Sequence, residues 1–144
     1  RLTRKTDMKL YATLAALALL AAPGFAQAKV FTDSSGACQI TADDDWEAGP
    51  TRIKSPQDGF YARIRSAPTW TEVNANILAQ GGTVVSDNAQ RTVYSLSSSA
   101  GGAANKLYWV VLKGGPTCYS TVTFPAGPLD SKARAIAETV RRAR

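Results

Sequence analysis

The stretch from Met8 to Ala28 limits most what this chain can fold into. Lys9 is followed by an uncharged run from Leu10 to Ala22, Pro23-Gly24 ends it, and Ala26-Gln27-Ala28 offers the small side chains a signal peptidase accepts. Crossing a bilayer takes about 20 apolar residues. The run is shorter than that, so the segment reads as a cleavable export leader and not as a membrane anchor. No cysteine follows the cleavage position directly, the first being Cys38, which argues against a lipid anchor. Residues before Met8 read as an upstream translation or a fragment end and are set aside. The expected organisation is residues 1–28 as upstream residues plus leader and 29–144 as one exported domain, periplasmic or secreted, with no stable membrane span after cleavage.

Removing the leader changes what the charge means. The chain has 17 Lys and Arg, 11 Asp and Glu, and a formal net charge of +6. Arg1, Arg4, Lys5, Lys9 and Asp7 lie before residue 29, so 13 basic and 10 acidic residues remain, a net of +3. Lys132, Arg134, Arg141, Arg142 and Arg144 cluster near the C-terminus, leaving the rest near neutral. A nucleic-acid partner is therefore not expected.

Cys38 and Cys118 stand 80 positions apart in a chain read as exported, a setting where disulfides persist. They are expected to be bonded, two free structural thiols being the alternative. Without C-x-x-C spacing, a redox role is disfavoured.

Along the mature chain, 29–35 reads as a polar opening segment, and Ala37 to Thr41 as a strand with Cys38 and Ile40 on one face. Asp43-Asp44-Asp45 makes a turn before Trp46. Gly49-Pro50 and Ser55 to Gly59 are turn signals that bracket Thr51 to Lys54. From Phe60 the alternation of a half-buried strand is clear: Phe60, Ala62 and Ile64 share one face, Tyr61, Arg63 and Arg65 the other. Thr69 and Glu72 have capping-box spacing, Trp70, Val73 and Ile77 recur at helical spacing, and Gly81-Gly82 offers a stop, which predicts a helix over Trp70 to Gln80. Thr83 to Ser86 and Arg91 to Ser97 read as a hairpin. Ser97 to Asn105 reads as a mobile loop. Leu107 to Leu112 is apolar on both faces, the mark of a central strand. In Thr117 to Phe124, Cys118, Ser120, Val122 and Phe124 alternate with Tyr119, Thr121 and Thr123. A final helix is predicted from an Asp130 N-cap, with Leu129, Ala133, Ile136, Ala137 and Val140 as its apolar stripe. Trp46, Trp70 and Trp109 read as core. The fold class expected is α+β, a single domain with an antiparallel sheet and two principal helices packed against it.

The run Cys38 to Trp46, then Ser55 to Gly59 before a strand, a helix, a strand series and a C-terminal helix, resembles the DcrB/PsbP-like proteins. The resemblance spans nearly all of the mature chain and lies in element order and turn placement. It implies a central antiparallel sheet with helices on its faces, and an accessory or binding domain more often than an enzyme. It carries over no site residues.

Histidine is absent, which removes a Ser-His-Asp triad, a Cys-His nucleophile and a His-ligated zinc site. No phosphate-binding loop or dinucleotide turn is present. Asp43, Asp44, Asp45 and Glu47 lack the spacing and turn glycine of a calcium loop and read as a solvated turn. No metal or cofactor is expected. Tyr61, Arg63 and Arg65 are the candidate ligand-binding residues, since arginine presents a planar fork to carboxylate or phosphate and tyrosine a stacking surface. The competing reading is an ordinary polar face whose arginine stems lie across a covering helix. Arg141, Arg142 and Arg144 read chiefly as cations complementing a helix C-terminus, with Glu138 and Arg142 a favourable pair. The function expected is an exported, non-enzymatic binding or accessory domain for a protein or envelope component. The alternatives are an inhibitor or immunity-type protein for a periplasmic enzyme and, behind it, a small carboxylate-dependent hydrolase.

Overall fold

The strand that is apolar on both faces stands inside the sheet. The computed structural model describes residues 27–98 and 104–143. In chain order the described residues form β1 (Ala28–Thr32), β2 (Cys38–Asp43), β3 (Glu47–Ala48), β4 (Ile53–Lys54), β5 (Tyr61–Ala67), α1 (Trp70–Ala79), β6 (Thr83–Asp87), β7 (Arg91–Ser98), β8 (Asn105–Leu112), β9 (Thr117–Pro125), α2 (Asp130–Ala137) and β10 (Arg141–Arg142). Seven strands make one antiparallel sheet in the order β3-β4-β5-β9-β8-β7-β6, and β1-β2-β10 make a second, smaller one. This is the expected α+β class. The leader lies, as far as Ala26, outside the described residues, as do residues 99–103 of the loop and Arg144; Ala28, the last residue of the expected leader, pairs with Asp43.

The two faces of the large sheet bury different cores because β8 alternates between them. Tyr108 and Val110 point to the first face, where they join Ala62, Val122 and Phe124, residues of β2, and Ala133, Ile136 and Ala137 of α2. Trp109 and Val111 point to the second, where Tyr94, Val73 and Ile77 cover them. On the first face Phe60 lies edge-on to Trp46 at 5.7 Å and to Phe124 at 5.8 Å, and Phe124 stacks on Tyr108 at 5.6 Å. Trp46 and Trp109 are buried as expected, while Trp70 is only half-buried. Cys38 and Cys118 are bonded, with 5.5 Å between their Cα atoms, and so join β2 of the small sheet to β9 of the large one.

Local signals set the ends of α1. Thr69 Oγ1 accepts from the Glu72 N–H, as the capping spacing predicts. At the other end Gly81, with φ +95°, lets the Gly82 N–H donate to the Ile77 carbonyl and the Gly81 N–H to the Leu78 carbonyl. These two bonds satisfy carbonyls the helix leaves open. A Cβ at Gly82 would sit 2.5 Å from Ile77 Cγ2, which reserves that position for glycine.

The C-terminal region departs from the sequence reading in four ways. Asp130 is not the N-cap: Leu129 holds that place without a side-chain bond, and the Asp130 carboxylate instead accepts from Lys106 Nζ at 2.8 Å and Tyr108 OH at 2.5 Å. The helix ends at Ala137, because Thr139 Oγ1 donates to the Ile136 carbonyl and accepts from the Thr41 N–H, turning the chain onto β2. Arg141 and Arg142 are then a strand pairing with Gln39 and Cys38, not the last turn of a helix, and Arg142 donates to the Pro116 and Lys113 carbonyls. Glu138 pairs with Arg91 at 2.6 Å and Arg134 at 2.7 Å, not with Arg142. The opening segment 29–35 also differs from expectation, since its first half is β1, held by Phe31 in the core and by register with β2.

The Asp130 contacts carry a pH dependence. Burial pushes the Asp130 carboxyl up, but hydrogen bonds from Lys106 and Tyr108 outweigh it and hold the group below its ordinary 3.8. A depressed carboxylate stabilises the fold fully above its unfolded value, and that contribution fades as pH falls through the folded value. Asp130→Asn is expected to flatten the acid limb of stability below about pH 4. At neutral pH the loss should stay within about 1 kcal/mol, because the pair is partly exposed and screened. Urea unfolding of both proteins across pH 2.5–7 checks this; parallel acid limbs would contradict it.

Candidate functional site

The second face of the large sheet is covered on one side only. Helix α1 is drawn toward β7: Trp70 Nε1 donates to Thr92 Oγ1 at 3.2 Å, and Tyr94 OH donates to Asn74 Oδ1 at 2.6 Å. Val73 and Ile77 then bury against Trp109 and Val111, each worth roughly 1.5–3 kcal/mol of burial. Ala67 and Tyr119 also pack against this cluster, and the rest of that face, around Tyr61, Arg63 and Arg65 of β5 and Thr121 and Thr123 of β9, stays open beside the helix.

Register brings the candidate residues onto this open half. Tyr61 stands opposite Thr123, Arg63 opposite Thr121 and Arg65 opposite Tyr119. With α1 as the far wall they bound an open groove of about 700 Å³. Its floor includes Leu107, Trp109, Thr121 and Thr123, and Glu72, Asn76 and Gln80 reach it from the helix. Tyr61, Arg63 and Arg65 are all exposed. The structure therefore places the three on one exposed face, at the mouth of a groove. The arginine stems are not buried under the helix.

Arg52 is a fourth member that the sequence reading does not single out. Its guanidinium lies 4.1 Å from the centre of the Tyr61 ring, and Lys54 Nζ lies 5.8 Å from it. A signal for Arg52 does exist. Lys54 pairs with Tyr61 across the Ser55 to Gly59 turn, so alternation puts residue 52 on the face of Tyr61 and Arg63. Glu72, Asn76 and Gln80 arrive only through tertiary packing of α1.

The electrostatics are one-sided. Arg52, Arg63 and Arg65 line the groove against one carboxylate, Glu72. Among the described residues Arg63 and Arg65 form no ion pair, whereas Lys106, Lys113, Lys132, Arg91 and Arg134 each have an acidic partner. Arg63 and Arg65 are two positions apart on one strand, about 7 Å. Such a surface can receive one or two anionic groups in bidentate fashion and stack a planar group on Tyr61. The acidic turn contributes elsewhere: Asp43 pairs with Lys132, which also pairs with Asp58.

Fold and groove together define an α+β domain with a helix on each face of an antiparallel sheet and an arginine-lined opening beside one of them. The sequence matches no protein-family model and no curated protein. Among solved structures it is similar, over 81% of its length, to a protein from Bacteroides thetaiotaomicron VPI-5482, with a TM-score of 0.54 and 14% identity. The chain spans about half the length of that protein, 48%. It is also similar, over 85% of its length and 96% of the other chain, to cyanobacterial PsbP (CyanoP) from Synechocystis sp. PCC 6803, with a TM-score of 0.47 and 12% identity. At these identities the likeness is one of fold.

Proposed function

We propose that this protein is an exported, non-enzymatic accessory domain, periplasmic or secreted, that binds a protein or envelope component through the groove beside α1. The observation carrying this reading is the pair Arg63 and Arg65, exposed and without ion pairs among the described residues, at the mouth of a groove whose lining has one carboxylate. Cations kept free of partners can accept an anionic group without first breaking an internal bond. Tyr61, with Arg52 across its ring, adds a flat surface beside them. The disulfide suits an oxidising compartment. Among the described residues no helix is long and apolar enough to cross a membrane.

The test is cross-linking capture from intact envelope with wild type and the Arg63→Glu/Arg65→Glu double variant. One partner captured by wild type and reduced at least tenfold with the variant is the expected result. Both changes are on exposed positions, so the variant should keep its unfolding free energy within about 1 kcal/mol of wild type. Equal capture by both proteins would move the site away from this face.

A further inference from the structure

The polar side chains on the second face of the large sheet fall into two groups. Around the start of α1 they bond one another: Trp70 with Thr92, Thr92 with Asp87, and Tyr94 with Asn74. In the groove they do not. Among the described residues the side chains of Arg63, Arg65, Glu72, Asn76, Thr121 and Thr123 make no hydrogen bond, and all six line the same space. Unengaged donors and acceptors are thus gathered in one place.

Register sets their order. Arg65, Tyr119, Val111 and Thr92 stand in one row across the sheet, and Arg63, Thr121, Trp109 and Tyr94 in the next. Trp70 is bonded in the first row and Asn74 in the second, so α1 runs in the same direction as β7. Glu72 therefore comes level with the two arginines on the opposite wall. Asn76 follows toward the row of Tyr61, Thr123 and Leu107. One wall is cationic, the other offers an anion and an amide, and the floor between them carries half-buried threonine hydroxyls.

This arrangement selects among ligands. An acyl chain needs an apolar trough, and of the large apolar side chains exposed among the described residues only Tyr61 lines the groove. A peptide needs partners for its main-chain amides. The floor strands β8 and β9 have neighbours on both sides, and their backbone groups lie in the plane of the sheet and not on its face. A ligand anionic all round would press against Glu72. The chemistry that fits has anionic groups along one edge and hydroxyls along the other.

We propose that the groove binds a short acidic oligosaccharide, a uronic-acid segment of an envelope glycan. Its carboxylates sit on Arg63 and Arg65, which take them as planar forks. Its hydroxyls donate to Glu72 and to the Asn76 side-chain carbonyl, and the Thr121 and Thr123 hydroxyls both donate and accept. Tyr61 supplies an apolar ring at the end of the row. From Tyr61 to Arg65 the wall is about 14 Å long, room for a few sugar rings in line. The inference rests on the proposed arginine-face binding and names the chemical class of its ligand.

The experiment titrates the purified full chain with trigalacturonate and with trimannuronate by calorimetry at fixed salt. At least one is expected to bind one to one. Its methyl ester, which keeps the ring hydroxyls and loses the charge, should bind at least tenfold more weakly. So should the single uronic acid, which cannot reach both arginines, and a free monosaccharide that binds as well as the trisaccharide overturns the chain reading. The Arg63→Glu/Arg65→Glu variant should lose at least tenfold. Thr121→Val with Asn76→Ala, two changes that remove a hydroxyl and an amide but no charge, should weaken the trisaccharide at least fivefold. Unchanged binding by that variant overturns the glycan. Triaspartate, a peptide of equal charge, overturns it too if it binds wild type as tightly as the trisaccharide, because charge alone is then read. No binding of either trisaccharide, while the arginine variant still loses its envelope partner, overturns the glycan and leaves the arginine-face reading standing. No effect of the arginine variant in either assay overturns both.

Discussion

Replacing Cys38 and Cys118 together by alanine is expected to lower the unfolding free energy by about 4–5 kcal/mol, a large share of what holds a domain of this size. The bond closes a loop of sequence separation 80, so in the chain-entropy account it removes much of the freedom of the unfolded chain. It also ties the small sheet to the large one, at a place where both sulfur-bearing residues are buried. In thermal terms the loss corresponds to roughly 20 °C or more. Guanidinium unfolding of the wild type, the reduced wild type and the double variant checks this. The two modified forms should agree, because the cross-link is the main thing each lacks. A loss below about 1 kcal/mol would show that the unfolded chain is already held compact without the bond.

Phe60→Ala is expected to cost about 3–5 kcal/mol. Phe60 is fully buried between Trp46 and Phe124, and its ring has an edge-to-face neighbour on each side. Its removal opens a cavity in the middle of the row that links the turn before β3 to β8 and β9. Phe60→Leu should cost under about 2 kcal/mol, because most of the volume is kept. Denaturant midpoints for the two variants measure the difference. Phe60 belongs to the first face of the sheet, whereas the groove is on the second. The leucine variant should therefore retain wild-type capture of the envelope partner at a temperature where it is folded. A leucine variant as unstable as the alanine one would mean that ring contacts, more than filled volume, hold this row.

Much of the fold was legible because the deciding patterns are local. The alternation from Phe60 to Arg65, the two-sided run from Leu107 to Leu112 and the alternation from Cys118 to Phe124 appear as β5, β8 and β9, and Thr69 caps α1 as its spacing implies. What was not legible depends on distant partners. β1 has one buried residue, Phe31, and is a strand because β2 lies beside it. Val140 continues a helical spacing from Ile136, so the sequence alone extends the last helix too far. The turn is made by Thr139, whose hydroxyl bonds β2 nearly a hundred residues earlier in the chain. Asp130 has the chemistry of a cap, but Lys106 and Tyr108 claim it, and their arrival depends on how β8 meets α2. The candidate site divides the same way. Tyr61, Arg63 and Arg65 declare themselves by period, whereas the helix wall exists only once the sheet is assembled.

The pairing of β10 with β2 has a bearing on the order in which this domain can be made. A chain delivered N-terminus first presents β1 and β2 early, yet their sheet lacks its third strand until residues 141–142 follow. The residue bonded to Cys38 is likewise delivered late, and β5 must wait for β9 before it has a neighbour along its full length. Contacts this distant in sequence make assembly slow relative to helical proteins of equal size. The small sheet is therefore completed last, by residues 141–142, after all seven strands of the large sheet have been made.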